Sequence, residues 1–244
     1  MKRKIISLLT ALCMISLVTV PAGASDTTEN GTDLSVTKLV EEMIAQYPLT
    51  ERIEDAESGN IDENVREEIK EAVTFSISDG HEDSAMTTDN LMEDETSNIA
   101  YSIQNLGEVV VNGQSVGTLY SATGTEKTKT GSDTMMGVEA YMSIVWIDNF
   151  GTDNVLVEVS GGWRANGHYI DSRSLQYSAT DNADIGETEF IENVSNPFKY
   201  SDINFHGLVI NATSYAEIWE DEPSSSGYPI ARMFRFSLTP TIFD

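Results

Sequence analysis

The stretch EVVVNGQSVGTL, residues 108–119, decides the fold. Two extended runs flank Asn112-Gly113, a dipeptide that tolerates positive φ and so favours the two-residue turn of a β-hairpin. In the simplest register Val109 faces Val116 and Leu106 faces Leu119. Short runs of period two continue outward from this hairpin, beginning near Ile99. A second hairpin joins residues 141–148 to 154–160 through 149–153, and its first strand is apolar on both faces, as a strand covered on both sides would be. Further runs at 169–178, 208–219 and 230–238, separated by Asn166-Gly167, Asn196-Pro197 and residues 224–229, bring the expected number of strands to about eight. Alternating βα units are absent. Residues 98–244 are therefore expected to form a β-sandwich of jelly-roll or immunoglobulin-like topology, with a closed barrel as second choice, and the fold class is mainly β.

Upstream of the strands the pattern changes. Val36, Leu39, Val40, Met43, Ile44 and Tyr47 recur at the three- and four-residue spacing of one helical face, and Pro48 ends the run. Ile61, Val65, Ile69 and Val73 mark a second, narrower stripe at four-residue spacing, which predicts another helix from about Asp62. Residues 25–96 hold 21 acidic and 4 basic side chains, against 19 and 7 in the longer stretch 97–244. Residues 25–97 thus read as an acidic helical N-terminal region whose end, 79–97, is a polar linker.

The chain opens with Lys2-Arg3-Lys4, an apolar run from Ile5 to Val20, Pro21 and Ala22-Gly23-Ala24. That is the grammar of a secretory signal peptide spanning residues 1–24, so a secreted, extracellular protein is expected. The single cysteine, Cys13, falls inside this segment, which makes the expected mature chain cysteine-free and fits a Gram-positive export route better than a disulfide-forming one. No lipid or apolar anchor follows, and no membrane anchor is expected.

The formal net charge is −26. A polyanion would be repelled by that field, which excludes nucleic acid as a partner. The histidines, His81, His168 and His206, lie in the linker or beside turn glycines, and no motif for zinc, for a nucleophilic serine or for a nucleotide occurs. Residues 181–187 resemble a calcium loop only faintly, because Ala183 and Ile185 stand where oxygen ligands belong. No metal and no cofactor are expected.

Aromatic placement supplies the candidate site. Alternation along 208–219 puts Asn211, Thr213, Tyr215, Glu217 and Trp219 on one face and an apolar set on the other. Tyr169 and Tyr177 are expected to share a similar face of the next strand with Asp171 and Arg173, and Trp163 follows Gly161-Gly162 at a strand end. Rings interleaved with amide, hydroxyl and carboxylate groups suit stacking on a flat sugar face with hydrogen bonds to its hydroxyls. The expected function is a non-enzymatic binding or cell-surface interaction module for a glycan, cell-wall or protein ligand. Two other readings stay open: a secreted hydrolase using a carboxylate pair, and a secreted antagonist, bacteriocin-like or pore-forming, in which the Thr/Ser-rich segment 118–134 would be the stem. Oligomeric state is left open by the sequence.

The signal reading predicts that export removes residues 1–24. Intact-mass measurement of the exported protein should give a chain beginning at Ser25, and a retained Met1 or a lipid adduct on Cys13 would refute the reading.

Overall fold

In the computed structural model Asn112 (φ 53°) and Gly113 (φ 79°) form the expected turn, both in the left-handed region. They join β2 (Ile99–Val111) to β3 (Gln114–Lys127). The register departs from the simplest one. Val109 pairs with Gly117 and Leu119 with Gly107, because an extra residue, Val116, is bulged between the Val110–Ser115 and Val109–Gly117 pairs. The one-step shift lasts until Leu106, an extra residue on β2, restores the original register at Asn105–Tyr120, and local sequence announces neither bulge.

The structure describes residues 34–81, 99–127, 138–149, 153–181, 186–219 and 233–243. The expected signal peptide and the linker from residue 82 lie outside the described residues. One correction concerns composition. The chain contains a cysteine, Cys13, so the description cysteine-free does not hold for it; that label rested wholly on removal of the segment in which Cys13 lies.

The element order is α1 (Leu34–Ala45), α2 (Leu49–Ser58), α3 (Glu67–Ala72), β1 (Val73–His81), then β2 and β3, β4 (Glu139–Asp148), β5 (Asn154–Arg164), β6 (Tyr169–Thr180), β7 (Gly186–Glu192), β8 (Phe198–Tyr200), β9 (Phe205–Gly207), β10 (Val209–Trp219) and β11 (Met233–Phe243). The fold is mainly β, with a short helical region at the N-terminal side of two sheets that pack together. Sheet A runs β1-β11-β10-β6-β7 and sheet B runs β2-β3-β4-β5-β8, with β9 also paired to β5.

The core between the sheets takes Ile103, Met142, Ile144, Trp146 and Leu156 from sheet B and Leu175, Tyr177, Ile210, Ala216 and Ile218 from sheet A. Trp146 stacks on Tyr120 with ring centroids 5.6 Å apart. A second apolar layer covers the other face of sheet B, where Val40 and Ile44 of α1 meet Val109, Leu119, Val145 and Ile147. β4 is apolar on both faces for this reason, since one side meets sheet A and the other meets a helix.

The helical region differs from its expected layout. α1 stops at Ala45, before Pro48, as expected, but Pro48 also stands at the N-cap position of a further helix, α2, with φ −65°. Gly59, at φ 63°, closes that helix, its N–H and that of Asn60 returning to the carbonyls of Ala56 and Asp55. Proline before and glycine after a helix use the fixed φ of one and the left-handed freedom of the other. Of the stripe Val65, Ile69, Val73 only Ile69 lies in a helix, the six-residue α3, and the chain turns extended at Val73. All three residues enter the core between the sheets.

β1 then pairs with β11 along its whole length, from Val73↔Ile242 to His81↔Phe234. Residues 32–244 make one compact unit. The expected division at 97/98 therefore separates an edge strand of sheet A from the sheet it completes. The Thr/Ser-rich run from residue 118 is an interior strand, β3, paired with β2 on one side and β4 on the other. Thr123 and Thr125 are buried there.

Gly117 gives a direct test of the bulge. Its φ is 141°, and a Cβ there would stand 2.5 Å from the carbonyl oxygen of Asp148 and 2.6 Å from Ile147 Cγ2. Gly117→Ala should cost about 1–3 kcal/mol through backbone strain, read as a lower Tm. An unchanged Tm would mean that the bulge is not formed as described.

Candidate functional site

β10 keeps the expected alternation along its full length. Ile210, Ala212, Ser214, Ala216 and Ile218 are buried, while Asn211, Thr213, Tyr215, Glu217 and Trp219 are half-exposed on the outer face of sheet A. Antiparallel pairing puts Ser178, Gln176, Ser174 and Ser172 of β6 beside the first four of these. The next strand, β7, adds Thr188 opposite Ser178 and Phe190 opposite Gln176. Phe190 is 59% exposed. On the other flank Thr241 of β11 pairs with Asn211. Asn211 Nδ2 donates to Thr241 Oγ1 (3.2 Å), Thr213 Oγ1 donates to Asn211 Oδ1 (3.3 Å), and Thr239 Oγ1 donates to Thr213 Oγ1 (3.2 Å). These bonds hold the short side chains in one orientation, so their remaining lone pairs and protons present a fixed pattern outward.

Three of the expected site residues fall elsewhere or differently. Tyr177 is buried at 3% exposure and its partner on β10 is Ala212, which places it on the core face. There its hydroxyl donates to Glu189, and burial together with that carboxylate pushes its pKa up. Tyr169 lies on the opposite, outer face, beside Trp219, because the register shifts between Glu217 and Ile218 and leaves Asp171 as the extra residue. The bulge is what separates two tyrosines that simple alternation would align. Trp163 is also core, 2% exposed, with its ring 5.5 Å from that of Phe198. Its backbone N–H donates to Asn196 Oδ1 (2.9 Å), and Asn196 Nδ2 donates to its carbonyl (2.8 Å). Trp163 and Tyr177 are thereby removed from the ligand surface. Trp219 is intermediate: its ring is half-exposed, yet Nε1 is buried with no hydrogen-bond partner among the described residues.

The opposite side of the molecule holds a charged cluster that sequence reasoning missed. α2 is acidic, but its one basic residue, Arg52, faces inward and is 1% exposed. Arg52 Nη2 donates to Glu158 Oε1 at 2.7 Å, and Nη1 donates to Ser143 Oγ at 2.7 Å. Glu158 projects from β5 and is fully buried. Its Oε1 also accepts from Ser160 Oγ (3.1 Å), and its Oε2 lies 2.8 Å from Lys199 Nζ on β8. Ser143 Oγ takes a second proton from Thr123 Oγ1 (2.9 Å), so its own proton is directed to Ser121 Oγ (3.3 Å). Burial alone would raise the pKa of Glu158, but the Arg52 guanidinium, with Lys199, more than offsets this and holds the carboxyl below its ordinary value. The available signal was the lone arginine of an acidic helix, together with Ser121, Thr123, Ser143, Glu158 and Ser160 on strand faces turned away from the core.

Next to this cluster lies a cavity of about 270 Å³ between α1 and the β5 side of sheet B, with Glu158 and Lys199 among its lining residues. Among the described residues no group of three or more His, Cys, Asp or Glu side chains is placed to hold a metal ion. No helix among them is long and apolar enough to cross a membrane. Compared with known protein families, with curated proteins and with solved structures, the chain matches none.

The cluster makes two predictions. Arg52→Ala leaves Glu158 buried without its main partner and should cost about 3–5 kcal/mol; Arg52→Ala combined with Glu158→Gln should cost less than the two single changes added together, as a double-mutant cycle in denaturant would show. Because the folded pKa of Glu158 is depressed, its contribution is present above the ordinary carboxylate value near 4.5 and is lost as pH falls through the lower folded value. The parent should lose stability to acid in that window, and Glu158→Gln should show a flatter acid limb. Equal acid slopes in the two proteins would contradict the assignment.

Proposed function

We propose that the protein is a secreted, non-enzymatic binding module whose ligand, a glycan or glycan-bearing cell-wall polymer, lies on the outer face of sheet A. The observation that carries this reading is the half-exposed row Asn211, Thr213, Tyr215, Glu217 and Trp219, flanked by serine, threonine and glutamine on the neighbouring strands and by the exposed ring of Phe190. Flat apolar patches for stacking alternate there with oriented hydroxyl and amide groups, the two contacts that a pyranose ring uses. Tyr169, beside Trp219, extends the row; α1 and α2 pack on sheet B, which supports an accessible outer face on sheet A. The strong negative charge favours neutral or cationic polymers over anionic ones.

At the finer level we propose a β-sandwich. Its β2–β5 meander supports an up-and-down arrangement in sheet B in preference to the crossed connections of a jelly-roll or immunoglobulin-like sandwich. The hydrolase alternative loses support at the one fully buried carboxylate among the described residues, since Glu158 is ion-paired on both oxygens and is the opposite of the raised-pKa acid that glycoside cleavage uses. A pore-forming stem drawn from residues 118–134 would require β3 to leave the middle of sheet B.

Sedimentation with purified cell-wall polysaccharide and an array of neutral and amino-sugar glycans tests the reading. Tyr215→Ala and Gln176→Ala should each weaken binding about tenfold or more, while shifting stability by less than about 1 kcal/mol, as surface changes do. Binding left intact in both variants, or measurable release of sugar from any bound polymer, would overturn it.

A further inference from the structure

The cavity beside Glu158 is built differently from the outer face of sheet A. Val40 and Ile44 of α1 form one wall and Val155 and Val157 of β5 the other, so most of its interior is aliphatic. Among its polar lining residues three carboxylates, Glu41, Asp202 and Glu158, outnumber the one cation, Lys199, and the others are neutral. Glu158 is fully buried, while the side chain of Lys199 that reaches it is 57% exposed. A buried carboxylate oxygen is therefore capped by an ammonium on a flexible, solvent-exposed stem. Arg52 and Ser160 occupy Oε1 and do not depend on Lys199.

We propose that this cavity is a second binding site, for an aliphatic primary ammonium group, which displaces the Lys199 ammonium from Glu158 Oε2 and lays its methylene chain between α1 and β5. The size fits such a group. A cavity of about 150 Å³ holds benzene, and drug-sized ligands fill about 300–1,000 Å³, so about 270 Å³ suits a chain of lysine length. Charge selects the sign: three lining carboxylates would repel an anionic head, although one lysine is present to attract it. Lysine stems already show the required chemistry, since they bury methylenes and keep the charged end at a polar partner. The ammonium can come from a free alkylamine or from a lysine side chain of a peptide, and both present the same head and stem.

Calorimetry with hexylammonium, with Nα-acetyl-lysine amide and with hexanoate tests the site on the full chain. Either ammonium compound should bind, and the one that binds more tightly identifies the source, while hexanoate should not. Lys199→Ala removes the internal competitor and leaves Arg52 on Glu158, so it should tighten ammonium binding about tenfold. Val157→Trp fills the cavity and should abolish binding; circular dichroism and Tm check that each variant is folded. No binding of either ammonium compound to folded Lys199→Ala, or binding of hexanoate that Lys199→Ala abolishes, would overturn the proposal. Glycan binding by Val157→Trp, measured in parallel, separates failure here from failure of the reading for sheet A.

Discussion

The pairing of Arg52 with Glu158 constrains the rest of this structure. A guanidinium and a carboxylate taken out of water each lose hydration worth several kcal/mol, and the loss is offset only if they meet in good geometry with their other polar atoms satisfied. Here α2 brings Arg52 over sheet B, β5 brings Glu158 up to it, and the hydroxyls of Ser143 and Ser160 bond Arg52 Nη1 and Glu158 Oε1, while Arg52 Nε has no hydrogen-bond partner among the described residues. The contact joins residues 106 apart in the chain. Helix α2 can sit on sheet B in very few other ways without leaving a charge buried alone. The helical region is for this reason part of the folded unit, as the pairing of β1 with β11 and the entry of Val65, Ile69 and Val73 into the core also require.

The same constraint divides the outer face of sheet B into two chemically distinct halves. Beneath α1 the strands offer Val109, Leu119, Val145 and Ile147, and burial is driven by the hydrophobic effect. Beneath α2 they offer Ser121, Thr123, Ser143, Glu158 and Ser160, and burial is licensed by hydrogen bonding. The cavity lies where the apolar and the charged half meet, which is why it combines aliphatic walls with a buried carboxylate.

Sheet A contrasts with this. Its inner face is mostly apolar, but its outer face keeps half-exposed Asn, Thr, Tyr, Glu and Trp in register with serine and glutamine on the next strand. A sheet with one solvated face reads as alternating apolar and polar positions, and β10 does so without a break from Val209 to Trp219. The hydrogen bonds among Asn211, Thr213, Thr239 and Thr241 give that face order without covering it.

What the sequence determined by itself was everything set by chemistry within a few residues. Asn112-Gly113 made its turn because positive φ is cheap there, α1 formed on its three- and four-residue periodicity, and alternation assigned both faces of β10 correctly. The signals of Pro48 and Gly59 around α2 are of the same local kind, Pro48 marking both the end of the α1 run and the start of α2. Tertiary structure alone decided the bulges at Val116 and Asp171, since a one-residue slip is fixed by the partner strand and turns Tyr177 inward while Tyr169 stays outside. It also decided the burial of Trp163 and the meeting of Arg52 with Glu158. Local periodicity reports whether a side chain faces inward or outward along its own element; which distant group waits there is settled only when two elements exclude water together.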